Sequence, residues 1–303
     1  MLTSDVERYI LLRQTLGFEL RDTARRLRAF ARLATDRADT HVRSAFAVEW
    51  AETAPSPQSR YVRLRDIVKL AHFLRAEDVA HEVPDLTAFR NCQIRRLPYI
   101  YTPEEISRIV SSARRLRSTY RLRRPAYSTL LGLIASTGLR VSEALDLRLD
   151  DVLQGGILLI RRTKFAKSRL VPLHETTSAA LDRFLAIRTS VAAIDDHVFL
   201  SAGNRRIASS TVNYTFHRIL HLAQIAPDRA QKPRIHDLRH TFATRALERC
   251  AVDRQKVSRH FVALSTYLGH VDIKQTYWYL ESTPDLMTEI AATAEALAHG
   301  GDR

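Results

Sequence analysis

The sequence predicts a mainly α-helical chain with one small β-hairpin, an α+β architecture built in two units. Three observations carry that expectation. Apolar residues recur at helical spacing through residues 1–90, as in Val6, Ile10, Leu11 and again in Leu27, Phe30, Leu33. Thr102-Pro103-Glu104-Glu105 follows an extended, basic stretch and reads as a helix start: Thr102 caps, Pro103 fits the first position, and Glu105 completes a capping box. Two short apolar runs, 156–162 and 168–173, flank Thr163 to Lys167 and read as two strands joined by a turn.

The remaining elements follow from the same signals. In the first unit, residues 1–90, a further helix covers Arg60 to Leu74. Leu64, Ile67, Val68, Ala71 and Leu74 form its apolar stripe, and Arg60, Arg63 and Lys69 stand on its other side. Residues 91–101 read as a linker, and residues 102–303 as the second unit. There the pattern predicts helices over 103–116, 125–136, 141–147, 175–188, 209–224, 236–250 and 283–298, the last stopped by Gly300-Gly301. A chain of 303 residues is long enough for each unit to bury its own core.

Charge narrows the function. Lys plus Arg number 47 against 33 Asp plus Glu, a formal net charge of +14 at pH 7, and 41 of those bases are arginine. Such an excess points to a polyanionic partner, nucleic acid first, and the arginine fork suits phosphate oxygens. Residues 1–90 hold 15 basic and 13 acidic groups, so most of the excess lies beyond residue 90. Cys92 and Cys250 are the only cysteines, which excludes a disulfide framework and a cysteine-based zinc site. No apolar run approaches the roughly 20 residues of a membrane span, and no secretory leader is visible. The expectation is a cytoplasmic, bacterial protein with no membrane partner.

Four segments hold cations, imidazoles and phenols without acid pairs or nucleotide loops. In Thr137-Gly138-Leu139-Arg140-Val141-Ser142-Glu143-Ala144-Leu145, Gly138 permits a tight turn at a helix start and Arg140 projects from the first turn. Lys164 sits in the turn between the two strands, where it can reach another element or simply be solvated. On a helix, His236, Arg239 and His240 fall at i, i+3 and i+4 and share one face. A zinc reading fails there, because His-Asp-Leu-Arg-His lacks the zincin glutamate and an arginine on that face repels a cation. The fourth segment is Tyr267-Leu268-Gly269-His270, followed by Thr276-Tyr277-Trp278-Tyr279. A tyrosine can attack phosphorus once its proton leaves and cations hold the developing charge. Tyr277 and Tyr279 point about 200° apart on a helix, so only one can face a given site.

Together these segments resemble the tyrosine recombinase (phage integrase) family, over nearly the whole chain and most strongly from Tyr101 to about Met287. In that family the nucleophile commonly lies nine residues after the histidine of Leu-Gly-His, which selects Tyr279. The resemblance implies that Arg140 and Arg239 grip the scissile phosphate. It makes His236 a base or hydrogen-bonding partner for the tyrosine and His270 a phosphate donor. It makes Lys164 the acid for the departing 5′ oxygen and Tyr279 the source of a 3′-phosphotyrosyl link. No metal or other cofactor is implied.

The resemblance further implies a helical core-binding domain and a catalytic domain closing on DNA as a clamp. The expected reaction is site-specific recombination through a four-way junction, in an integrase or transposase of a mobile element. The partners would be double-stranded DNA recombination sites, a homo-tetramer in the synaptic complex formed through exchange of the C-terminal helix, and accessory recombination proteins. Arg60, Arg63 and Lys69 in the first unit, and Arg205, Arg206 and Asn213 near a helix start in the second, are candidates for DNA contacts. The alternatives are a non-catalytic DNA-binding accessory protein of the same fold and a relaxing topoisomerase of similar chemistry.

Overall fold

The computed structural model describes residues 2–91, 96–161, 168–193, 195–226, 232–248 and 254–269, with side chains omitted for 254–258. The chain divides into two compact units after Arg96.

Among its described residues the first unit holds four α-helices, α1 (Leu2–Thr15), α2 (Arg21–Asp36), α3 (Ser44–Glu52) and α4 (Pro57–Arg75), and a short 3-10 turn at Leu86–Ala88. Leu2, Val6 and Ile10 bury one side of α1, and Leu27, Phe30, Ala31 and Ala34 one side of α2. Phe30 stacks on Phe46 at 5.2 Å and meets the edge of Trp50 at 5.5 Å, tying α2 to α3. α4 begins at Ser56, whose hydroxyl accepts from the Ser59 N–H, with Pro57 at the first position. Leu64, Ile67, Leu70, Ala71 and Leu74 are buried as the stripe requires. Leu11 and Leu33 are not part of the core: they are 64% and 46% exposed. Each lies about 60–100° round its helix from the nearest buried position, so the stripe is narrower than the apolar pattern suggests.

Near the unit boundary, Tyr101 is fully buried in the second unit's core. Its N–H donates to the Thr241 hydroxyl and its own hydroxyl to the Arg234 carbonyl. The end of the expected linker is therefore core. α5 (Pro103–Arg114) starts with the expected capping box: Glu105 N–H donates to Thr102 Oγ1 at 3.2 Å, and Thr102 N–H to Glu105 Oε2 at 2.9 Å. α6 (Arg123–Thr137) ends at Gly138, which adopts a φ of +64°. Gly138 thus closes a helix C-terminus rather than opening the next helix, and its N–H donates to the Ile134 carbonyl. α7 (Val141–Leu145) follows at once, with Arg140 at its N-cap, one position before the expected first turn.

β1 (Val152–Leu153), β2 (Ile157–Ile160) and β3 (Arg169–Pro172) form an antiparallel sheet in that order. β2 pairs with β3 from Ile157↔Pro172 to Ile160↔Arg169, with Leu158, Ile160 and Val171 facing the core. The hairpin matches the expected strands; the short β1 adds a third. α8 (Glu175–Thr189), α9 (Ser209–Leu222), α10 (His236–Glu248) and α11 (Arg254–Leu268) complete the described α-helices. α8 joins the core through Phe184, stacked on Phe199 at 5.3 Å. Phe242 of α10 stacks on Tyr267 of α11 at 5.7 Å, beside Leu247, Phe261 and Leu264. The sequence pattern does not predict α11, and the expected helix over 283–298 lies outside the described residues. No helix among the described residues is long and apolar enough to cross a membrane.

Candidate active site

The second unit brings three of the sequence-selected residues together. Arg140 stands at the junction of α6 and α7, and His236 and Arg239 in the first turn of α10. Arg239 is one of the largest fully buried side chains. Its Nη1 donates to the Gly138 carbonyl at 2.6 Å and its Nη2 to the Leu268 carbonyl at 2.9 Å. Arg140 Nη2 donates to the next carbonyl, Gly269, at 3.3 Å. A third arginine, Arg169 at the start of β3, donates through Nε to the Tyr267 carbonyl at 2.8 Å. Three consecutive carbonyls at the C-terminus of α11 are therefore each held by a different guanidinium. Carbonyls at a helix end lack intrahelical donors and carry the negative end of the helix dipole, so cations belong there.

One carboxylate organises the cluster. Glu143, three residues after Arg140, has a side chain only 7% exposed. It accepts from the Arg140 N–H at 3.0 Å, from Arg140 Nη1 at 2.8 Å, and from both Arg169 Nη atoms at 3.1 and 2.9 Å. Burial alone raises its pKa. Bonding to Arg169 and its charge, with the Arg140 backbone N–H and charge, outweigh burial and hold Glu143 at about 2. The carboxylate is therefore ionised at neutral pH, and the trio Arg140, Glu143 and Arg169 keeps a net charge of one positive. Neither Glu143 nor Arg169 was selected from the sequence. The i, i+3 spacing of Arg140 and Glu143 was the available signal.

His236 packs edge-on against His240, ring centroids 4.7 Å apart. Burial, then the charges of Arg239, Arg234 and Arg140, push its pKa down to about 4 against the opposing pull of Asp237. By surface area His236 is nevertheless exposed, so water screens the guanidinium groups and only the downward direction of the shift is firm. Both facts leave the imidazole neutral at pH 7. Tyr267 is confined to a structural place: burial raises its phenol to about 12, and its hydroxyl donates to the Pro172 carbonyl at 3.4 Å.

Lys164, His270 and Tyr279, with Tyr277, lie outside the described residues. Among the DNA-contact candidates, Arg205, Asn213 and Lys69 are exposed. Arg206 donates to Asp146 at 2.5 Å. Arg60 Nε donates to the Ala54 carbonyl, while Arg63 donates to the Trp50 carbonyl and Thr53 hydroxyl and lies 4.7 Å over the Trp50 ring. These two arginines thus fasten α4 to the end of α3, and Lys69 stands about half a turn round from Arg60. A cavity of about 430 Å³ beside them adds Arg25 and Arg26 to its lining.

Also in the first unit, His41, Asp78 and His81 gather potential metal ligands within 4.8 Å. His81 Nδ1 accepts from the Val42 N–H, however, so its Nε2 carries the proton and offers no lone pair to a cation.

Residues 100–285 match the model of the phage integrase family. A relative named "Putative integrase/recombinase y4rB", from Sinorhizobium fredii, is 36% identical over 94% of this chain and 94% of its own. Tyrosine recombinase XerD of Chlamydia pneumoniae is 31% identical over 64% of this chain and 61% of its own. Among solved structures, the Tn1549 transposon integrase with transposon right-end DNA superposes with a TM-score of 0.64 at 17% identity, covering 96% of this chain and 99% of that one. A lambda integrase tetramer on a Holliday junction gives 0.63 at 17% identity, over 92% and 76%. The chain belongs to the phage integrase family, the tyrosine recombinases, which break and rejoin DNA.

Proposed function

We propose that the protein is a site-specific recombinase whose Arg140 and Arg239 clamp the scissile phosphate, with Tyr279 as nucleophile. One observation carries the reading. Two guanidinium groups from distant parts of the chain converge on adjacent carbonyls, Gly269 and Leu268, immediately ahead of His270 in the sequence. Guanidinium groups held by backbone carbonyls are oriented before charge develops on phosphorus.

In this reading the phenol oxygen of Tyr279 attacks phosphorus and its proton passes to His236. The bond to the 5′ oxygen breaks, and Lys164 gives that oxygen a proton. The 3′-phosphotyrosyl bond retains the energy of the diester, so attack by the 5′-hydroxyl of a second strand rejoins DNA without an external energy source. The depressed basicity of His236 suits a hydrogen-bonding partner that takes up a proton only as the phosphate's negative charge enters. Lys164 lies between β2 and β3, whose last register pair, Ile160↔Arg169, sets Arg169 beside the Glu143 cluster. Strand exchange between two duplexes would require a tetramer, as in the lambda integrase assembly on a Holliday junction. Arg25, Arg26 and Arg63 around the first unit's cavity, with exposed Lys69, Arg205 and Asn213, are the proposed phosphate and base-edge contacts. Exchange of the C-terminal helix and accessory proteins belong to the same proposal.

The test is a nicked duplex that traps the cleaved intermediate, bearing the site the wild-type protein selects from a randomised DNA pool. A covalent complex on a denaturing gel is expected from wild-type protein and none from Tyr279→Phe. A complex that survives Tyr279→Phe but vanishes in Tyr277→Phe overturns the nucleophile. Tight binding with no complex favours the non-catalytic alternative.

A further inference from the structure

Arg169 has no place in the chemistry described above, yet its side chain is only 11% exposed and its hydrogen bonds converge on the groups that hold the clamp. It meets Glu143 fork to fork, Nη1 to Oε1 and Nη2 to Oε2, and its remaining Nε–H donates to the Tyr267 carbonyl. A planar guanidinium can make this three-pronged contact and an ammonium cannot. The same group lies flat against Gly269: a Cβ there would stand 2.6 Å from Arg169 Nη1 and 2.9 Å from its Cζ. Arg169 therefore joins β3, the start of α7 and the last residues before His270 in one contact.

We propose that Arg169 is a positioning residue for DNA cleavage: it takes up the negative charge of Glu143 and fixes the end of α11, so that Arg140 keeps its own charge for the phosphate. This rests on the assignment of Arg140 as a phosphate clamp. Charge accounting supports it. Paired with Arg140 alone, a buried Glu143 carboxylate would cancel the cation the transition state needs. With Arg169 on its other side, the trio retains one positive charge, and Arg140 stays aimed by its bonds to Glu143 and Gly269. Arg169 acts through these groups and is not assigned a contact with DNA.

The experiment measures two quantities on the nicked duplex described above: the rate of covalent-complex formation at saturating protein, and equilibrium affinity by fluorescence anisotropy. Arg169→Gln is expected to slow cleavage roughly 10- to 100-fold while affinity stays within about twofold, since the substitution removes bonds to protein groups and none to DNA. Adding Glu143→Gln removes the stranded carboxylate, so the double variant should cleave at least about fivefold faster than Arg169→Gln alone. A purely structural role predicts the reverse, because a second buried change adds damage. Arg169→Lys keeps the charge without the fork and should fall between Arg169→Gln and wild type. If Arg169→Gln melts below the assay temperature, Arg169→Lys carries the test, and its cleavage at the wild-type rate overturns the proposal. Cleavage by folded Arg169→Gln at the wild-type rate, or a double variant no faster than Arg169→Gln, does so as well. Failure of the wild-type protein itself to form the complex instead overturns the clamp assignment, and the role of Arg169 with it.

Discussion

Gly138 should be among the least replaceable residues of the second unit, for two separable reasons. Its φ is +64°, a conformation that costs an L-residue roughly 1 kcal/mol. A Cβ placed there would also lie 2.5 Å from Phe242 Cδ1 and 2.9 Å from Leu268 Cδ2, so Gly138→Ala must displace the α10–α11 contact. Overpacking of that kind costs about 1–3 kcal/mol, which brings the total to roughly 2–4 kcal/mol. Gly155 supplies the control: its φ is +78° and nothing lies within 4 Å of its missing Cβ, so Gly155→Ala carries the backbone cost alone. In a unit of this size 1 kcal/mol moves Tm by about 2–4 °C. Scanning calorimetry of the full chain should therefore show the second unit's transition fall by roughly 5–15 °C in Gly138→Ala and by roughly 2–4 °C in Gly155→Ala. Because the Gly138 carbonyl accepts from Arg239, Gly138→Ala protein held below its Tm should also form the covalent complex more slowly, whereas Gly155→Ala should not. Equal Tm shifts for the two variants would refute the crowding argument, and normal cleavage by Gly138→Ala would refute the link to Arg239.

Two further outcomes follow from the charges in the site. Glu143 is held at about 2 in the folded chain against 4.5 unfolded, so its contribution to stability is present above pH 4.5 and is lost as pH falls through about 2. Between pH 5 and pH 3 the wild-type second unit should lose roughly 2 kcal/mol more stability than Glu143→Gln; parallel curves would show that the carboxylate is not held by its two arginines. The His236 imidazole should titrate below its ordinary 6.5 in the DNA-free protein, read from a spectrum of ring-labelled histidines assigned by His236→Asn. A midpoint at or above 6.5 would mean that solvent, rather than the neighbouring guanidinium groups, governs the ring.

What the sequence discloses and what it conceals divide along the range of the interaction. The capping box at Thr102 and Glu105, the proline at the first position of α5 and the β2–β3 hairpin rest on signals a few residues long, and each is found where the pattern places it. β1 has two residues, too few for any alternation to show. Leu11 and Leu33 mislead because an apolar residue one or two steps from a buried one satisfies the spacing without facing the core. In the site, Arg140, His236 and Arg239 stand out as a recognisable pattern of cations and imidazole. Arg169 does not, since its role depends on a carboxylate 26 residues away and a carbonyl 98 residues away. Arg60 and Arg63 show a second limit: as letters they advertise a cationic face, and nothing in their spacing shows that Arg60 Nε and Arg63 Nη1 also fasten α4 to the end of α3 and the turn after it.

The arrangement of like charges in the second unit also bears on how the proposed clamp could stay cationic before its anion arrives. Three guanidinium groups drawn to one short stretch of backbone repel each other, and their partners must offset that cost while leaving positive charge for a ligand. A full set of carboxylates would quench the site. Against these three groups the fold sets Glu143, shared between Arg140 and Arg169, and the terminal carbonyls of α11, which carry only partial charge. Carbonyls orient a guanidinium without neutralising it. Arg239, buried and bonded to the carbonyls of Gly138 and Leu268, is aimed by backbone from two elements and so depends on the close approach that the missing side chain of Gly138 permits. Under the proposed role, the folding of α6, α10 and α11 would fix the clamp in place, and an entering phosphate would meet guanidinium groups already oriented by backbone.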